Sequence, residues 1–475
     1  MSSTEHCKQS SGRTLGFGIQ RIGSIMRKRM LYLGVVTLVG PTLWACSPRS
    51  GSDCIKLTPS SRGCASPQRF AEPPPPAQPP SASASSPFVP STSAPSSWTL
   101  TNGERPIPGN PSLGETLWTV ARPPYGQYDF IALRRIAPTT DGTRVPARPV
   151  FLFLPGPHFH GEVVVPDERY DLRLYLANHG IETWTLDYRT HFVPREQIYD
   201  SNFMQVWTAE AFIEDVATAA HFVREVSGTQ KIFVGGFGLG ATFAALYAAR
   251  YVREDLLGLV FLDGYVLNPP DVDPLYRERT PTPNWFADDL ESRYLPYKRW
   301  MKILQDILDD PAGPDFLPVP VFETRAEALA HFLYVNPSFG AQGGLSNAQG
   351  GYAEVSVLAR IFQHQDRYWP RVQNHGGFDF KRHLAGAQFD YEKAMTAMNV
   401  PLLAFACGNI DKAGFLWSER VEYTARATAA TDVQFLVLEN WGHLDVLFGT
   451  HAAHEVFQPV SEWIKHRSLT VQARS

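Results

Sequence analysis

The globular part of this 475-residue chain is poor in cysteine: of five, Cys7, Cys46, Cys54 and Cys64 fall in the first 64 residues, and Cys407 stands alone in the body. That excludes a scaffold built on disulfides and a cysteine zinc motif. It leaves Cys407, inside the apolar run VPLLAFACG (400–408), as a core thiol. There is no internal repeat, which excludes a solenoid. There is no basic block in the body either: 43 Lys and Arg against 47 Asp and Glu give a formal charge of −4, so nucleic acid is not an expected partner. The uncharged N-terminal run LYLGVVTLVGPTL (31–43) is too short to span a bilayer as a helix. The last absence bears most on function. The sharpest strand-to-helix turn of the chain, VGGFGLGATF (234–243), carries no nucleophile at its tip, where Gly238 stands.

What is present divides the chain. The positive segment MRKRM (26–30), the apolar run behind it and LWAC (43–46) read as an export signal over residues 1–46, with Met26 or Met30 as plausible starts of translation. Leu43-Trp44-Ala45-Cys46 resembles the lipobox of bacterial lipoproteins. The resemblance implies lipidation of Cys46 and a membrane-anchored, exported protein; the alternative is secretion with cleavage near Ala45. Residues 47–98 include AEPPPPAQPPSASASSPFVPSTSAPSS, whose Pro and Ser content cannot build a core and reads as a tether. Cys54 and Cys64 could pair or stay free in an oxidising compartment.

From about Trp98 the pattern becomes globular. The alternation in YDFIALRRI (128–136) predicts an outer strand, and the continuous apolar run PVFLFLPG (149–156) a buried parallel one. Helical spacing and a closing Gly predict helices over 170–180 and 209–228. Strands follow at 181–189, KIFVGGF (231–237) and 256–264, with a helix after the turn at Gly238. Residues 267–398 are irregular, rich in Pro and aromatics, and read as an inserted cap. Strands at 400–408 and 432–440, a helix between them and a last helix near 451–465 complete the chain. Alternating strands and helices predict an α/β fold: a mostly parallel central sheet with helices on both faces. Its core is 99–266 plus 399–475.

Gly236-Phe237-Gly238-Leu239-Gly240 sits where a strand turns into a helix. Asp411 follows one later strand end and His443 follows the last. In this order and spacing the chain resembles the α/β-hydrolase family, with the G-x-S-x-G serine replaced by Gly238. The resemblance implies Asp411 as acid and His443 as base, with Asp263 at the end of 256–264 as the alternative acid. It implies oxyanion donors at the N–H of Leu239 and in the loop PGPHFHG, where Pro157 has no N–H to give and His158 or Phe159 would serve. No cofactor is implied. The expected partner is a small apolar or ester-type ligand, with the membrane reached through Cys46. Without a hydroxyl no acyl-enzyme forms, so the expected activity is impaired ester hydrolysis; the alternative is hydrolysis by water that His443 activates or by an unrecognised nucleophile.

Two other readings use the same residues. Gly236, Gly238 and Ala241 fit the dinucleotide-binding G-x-G-x-x-G/A, with Asp263 placed for a ribose. His158 and His160 could form a metal pair, but no third ligand stands at a recognisable spacing, and no metal site is expected.

Overall fold

The computed structural model describes residues 97–140, 143–144, 149–156, 158–194, 202–251, 255–269, 301–315, 322–334, 353–366, 391–412 and 416–472. The expected export signal with Cys46, nearly all of the expected tether and much of 267–398 lie outside them. Ten strands form one sheet: β1 (Thr99–Ile107), β2 (Asn110–Ala121), β3 (Phe130–Thr140), β4 (Thr143–Arg144), β5 (Val150–Leu154), β6 (Glu182–Asp187), β7 (Ile232–Phe237), β8 (Leu256–Leu262), β9 (Leu402–Cys407) and β10 (Val433–Leu438). Their order is β1-β2-β3-β6-β5-β7-β8-β9-β10, with β4 paired to β3 off this path. From β6 to β10 every pairing is parallel, and β1, β2 and β3 are antiparallel.

The central strands explain their own placement. Every residue of β5 (VFLFL), β6 (ETWTLD) and β7 (IFVGGF) is buried, as parallel strands covered on both faces require. One face is covered by α2 (Ala209–Ser227), α3 (Leu239–Tyr251) and, further along, α6 (Tyr391–Thr396) and α8 (Trp417–Arg426), whose apolar sides share one core. On the other face α1 (Leu172–Asn178), α5 (Val355–His364) and α10 (Gln458–Gln472) share a second core, to which Leu329 of α4 (Arg325–Tyr334) also belongs. The short helices α7 (Asn409–Lys412) and α9 (Asp445–Phe448) lie in the loops after β9 and β10. Helix α2 starts on Thr208, whose hydroxyl accepts the N–H of Ala211, and ends on Gly228 in the left-handed conformation. These are the caps that its sequence signals.

Two expectations are corrected. The strand expected over 128–136 is not an outer one: β3 is flanked by β6 and by β2, with β1 beyond. Strands β1 and β2 escaped the reading because β1 is almost wholly exposed and its polar residues resemble a linker. The last helix is longer than expected. A π-helical turn, Ala453–Phe457, runs directly into α10.

Buried charge ties the layers together. Glu182 on β6 is fully buried and pairs with Arg135 on β3. It also accepts from the Trp184 indole at 2.8 Å and from the Ser227 hydroxyl at the end of α2. Burial pushes its carboxyl up, but Arg135 and these donors outweigh it and hold the group below the usual carboxylate range. A carboxyl depressed on folding stabilises the fold above its unfolded value, near 4.3, and loses that contribution as pH falls through the folded value. Glu182→Gln, which strands a buried guanidinium, is expected to cost about 3–5 kcal/mol. Denaturant melts should show that loss at pH 7 and a smaller one near pH 3.

Candidate active site

The site begins with the backbone at the end of β7. Gly238 has φ +54 and its N–H donates to Leu262 O at 2.9 Å. The glycines around it are sterically fixed. A Cβ on Gly236 would lie 2.2 Å from the carbonyl carbon of Gly240, one on Gly240 1.9 Å from Leu154 O, and one on Gly264 2.1 Å from Gly238 O. Gly238 differs: a Cβ there would meet only the His443 ring, at 3.0 Å from Nε2 and 3.2 Å from Cε1. The imidazole thus points at the tip of the turn.

The loop after β10 holds His443 firmly. Asp445, buried, accepts the N–H of Gly442 at 2.8 Å and of Ala353 at 3.1 Å. The His443 ring stacks on Phe237 with centroids 4.4 Å apart and meets the edge of Trp417 at 5.8 Å. Its Nδ1 lies 2.5 Å from Asp263 Oδ2. Asp263 is fully buried just past β8, at φ +55, a conformation that costs a non-glycine residue about 1–3 kcal/mol. Three donors converge on its carboxylate. Oδ1 accepts from the Cys407 N–H at 2.7 Å and the Trp417 indole at 3.0 Å, and Oδ2 faces His443. These bonds fix the imidazole with Nδ1 as donor and Nε2 directed at Gly238, the geometry a general base needs.

The structure therefore brings His443 together with Asp263 and not with Asp411. The Asp411 carboxylate, on α7, accepts from the N–H of Ser418 at 3.0 Å and from the Ser418 hydroxyl, tying down the first turn of α8. Leu239 heads α3, where first-turn N–H groups have no intrahelical acceptor. In the loop after β5, the Phe159 N–H is taken by Gly156 O at 3.2 Å. His158, at φ +68, is clasped to the insertion: its carbonyl accepts from Asp366 N at 2.8 Å and its Nδ1 lies 3.0 Å from Asp366 O. Thr242 is no substitute nucleophile, since its hydroxyl donates to Tyr265 O at 2.7 Å. Cys407 is a buried core thiol, pushed far up by burial and by Asp263.

The dinucleotide reading meets two obstacles. Asp263 has no free face for a ribose, and the imidazole stands over Gly238, where a pyrophosphate would have to sit. His158 and His160 do not converge as a pair. Instead His160 joins His191, beyond β6, and Asp366 of the insertion, with ligand atoms all within 4.8 Å of one another. Burial pulls His191 down, but Asp187 and Asp366 outweigh it and hold it up at about 9. A cavity of about 60 Å³ lies between this cluster and Phe237, lined on its apolar side by Phe153, Phe159, Phe237, Ile361 and Phe448.

No family model and no curated protein matches the chain. Solved structures do. A Sulfolobus solfataricus protein provisionally assigned as a lipase is 24% identical with a TM-score of 0.60, over 78% of this chain and 99% of that one. A thermophilic esterase from Thermogutta terrifontis is 18% identical with a TM-score of 0.39, over 72% and 96%. A soluble variant of monoglyceride lipase from Saccharomyces cerevisiae is 13% identical with a TM-score of 0.39, over 81% and 99%. The last two are too distant to add to the first. The chain has the α/β-hydrolase fold.

The two carboxylates make different predictions once a nucleophile is supplied. In a Gly238→Ser background, Asp263→Asn should lower ester hydrolysis by about 10³–10⁴-fold by disturbing the tautomer. Asp411→Asn should leave the rate within a few-fold. Steady-state kinetics on the two double variants check this.

Proposed function

We propose that this is an ester-hydrolase-like protein lacking its nucleophile, which binds an apolar, acyl-type ligand and turns esters over slowly or not at all. One observation carries the reading: His443 Nε2, backed by buried Asp263, stands 3.0 Å from where a Cβ on Gly238 would be. Base and acid are set for a hydroxyl that the sequence does not supply. Removing the serine of such a site typically costs most of the rate, because the residues act as a unit. The apolar ligand is argued from the aromatic lining beside Phe237. The cavity itself is far below the ~300–1,000 Å³ of ordinary ligand pockets, so the described residues do not enclose an acyl site on their own. The Leu239 N–H and the backbone of His158 are the proposed oxyanion donors.

A second reading has its own support. Among the described residues Nε2 of His443 has no hydrogen-bond partner, so it is placed to take a proton from water at the turn. That would give hydrolysis without an acyl-enzyme.

Separately, we propose that the protein lies outside the cytoplasm, anchored through Cys46, the alternative being secretion. The support is the sequence 26–46, with its basic segment, uncharged run and LWAC. Among the described residues no helix is long and apolar enough to cross a membrane.

Hydrolysis of p-nitrophenyl acyl esters separates the two readings. Turnover by the wild type that His443→Ala abolishes supports water activation; no turnover supports the nucleophile-free binder. Gly238→Ser should gain at least about 100-fold in rate, with His443 retreating by a few tenths of an ångström and stability falling by about 1–3 kcal/mol. A folded Gly238→Ser protein with no activity would defeat the claim that the base and acid are poised for chemistry. For the anchor, labelling with a palmitate analogue in an expressing bacterium should mark the wild type and not Cys46→Ser, and the variant should leave the membrane fraction.

A further inference from the structure

We propose that His160, His191 and Asp366 form a binding site for a divalent transition metal of the zinc class, which fastens the insertion to the core. The three residues come from separate places: the loop after β5, the 3₁₀ turn Arg189–Phe192 after β6, and the segment just beyond α5. Their ligand atoms nevertheless lie within 4.8 Å of one another. His191 Nδ1 is 2.8 Å from Asp366 Oδ1, and the rings of His160 and His191 have centroids 4.7 Å apart.

A second observation points to a missing ligand. The Asp366 side chain is only 7% exposed, yet among the described residues its buried Oδ2 has no hydrogen-bond partner. An orphaned carboxylate oxygen at such a site loses the full cost of desolvation, and a cation removes that cost. Two imidazoles and one carboxylate are a donor set that suits zinc and its neighbours rather than calcium or magnesium.

The surroundings place carboxylates near His191 and a backbone carbonyl beside His160. A ligating imidazole typically sends its other N–H to a carboxylate or a backbone carbonyl. The carboxylates of Asp187 and Glu162 lie beyond direct hydrogen-bond reach of His191 Nε2, at 3.9 and 3.8 Å, and add negative charge that favours a cation there. His160 Nε2 lies 2.5 Å from His364 O, and its Nδ1 accepts the N–H of Glu162 at 3.2 Å, a bond that ligation through Nδ1 would replace. Ligand atoms around tetrahedral zinc stand about 3.3 Å apart, so modest side-chain rotations draw the three groups onto one ion, with water completing the shell. The dication takes the place of the proton that His191 and Asp366 share.

The ion's effect would be mechanical. His158 already clasps Asp366 through two backbone-directed bonds, and metal bonds from His160 and His191 would lock the same point. The site shares no residue with the His443 centre, so its test does not depend on ester chemistry.

The experiment is titration of the full, metal-free chain with Zn²⁺, followed by calorimetry and thermal unfolding, and with Co²⁺, followed by absorption. The proposal expects zinc to raise the melting temperature of the wild type. It expects His160→Ala and His191→Ala each to bind one zinc fewer, or at least about tenfold more weakly, and to lose the thermal shift. The cobalt difference spectrum between the wild type and His160→Ala should show visible bands without thiolate charge transfer, which separates this site from the N-terminal cysteines. Equal zinc binding and equal thermal shift in wild type and His160→Ala would overturn it, as would a wild type whose stability zinc leaves unchanged. Should His191→Ala fail to fold, His160→Ala, checked by circular dichroism, decides alone.

Discussion

The bond between Asp263 and His443 is the interaction on which the rest of the site depends. It joins the end of β8 to the loop after β10 and sets the imidazole that faces the turn after β7. A buried carboxylate is tolerated only when its lone pairs are satisfied. Here a strand N–H, an indole and the imidazole do so. The same donors hold Asp263 in a left-handed backbone conformation that few non-glycine residues adopt. Two strand ends and a loop are thereby fixed relative to one another before any ligand arrives.

Much of this was legible in the chain, and the parts that were not share a physical cause. The strand runs VFLFL and IFVGGF announce burial on both faces by composition alone, and His443 is marked by following the last strand of the chain, β10. The choice between Asp263 and Asp411 was not legible. Both follow a strand end, and what separates them is which partners reach them: Ser418 claims Asp411, while Cys407 N–H and Trp417 converge on Asp263. The strands β1 and β2 were missed because β1 is almost wholly exposed and β2 buries only a few of its positions, so neither shows the regular apolar alternation of a half-buried strand. His191 and Asp366 were missed because their relation to His160 is spatial. They lie 175 residues apart in sequence, and no motif spacing reports such a distance.

A run of aromatic contacts leads from the candidate active site to the loop that carries His160. Phe237 stacks on His443 and meets Phe159 edge to face, while Phe159 also packs on Phe448. The histidines of the loop after β5 serve the insertion, and the histidine after β10 serves the turn. Fold and chemistry are thus divided between neighbouring loops at the same edge of the sheet, which is where α/β proteins of this kind keep their ligand sites.

The glycines of the bend carry a consequence for descent. Gly236, Gly240 and Gly264 each have backbone within 2.2 Å of where a side chain would begin, while Gly238 has only a ring that can tilt aside. Mutation can explore just one of these positions without breaking the loop. A single amino-acid replacement, glycine to serine, would therefore put an attacking alcohol under the His443 ring while the rest of the bend keeps its backbone packing.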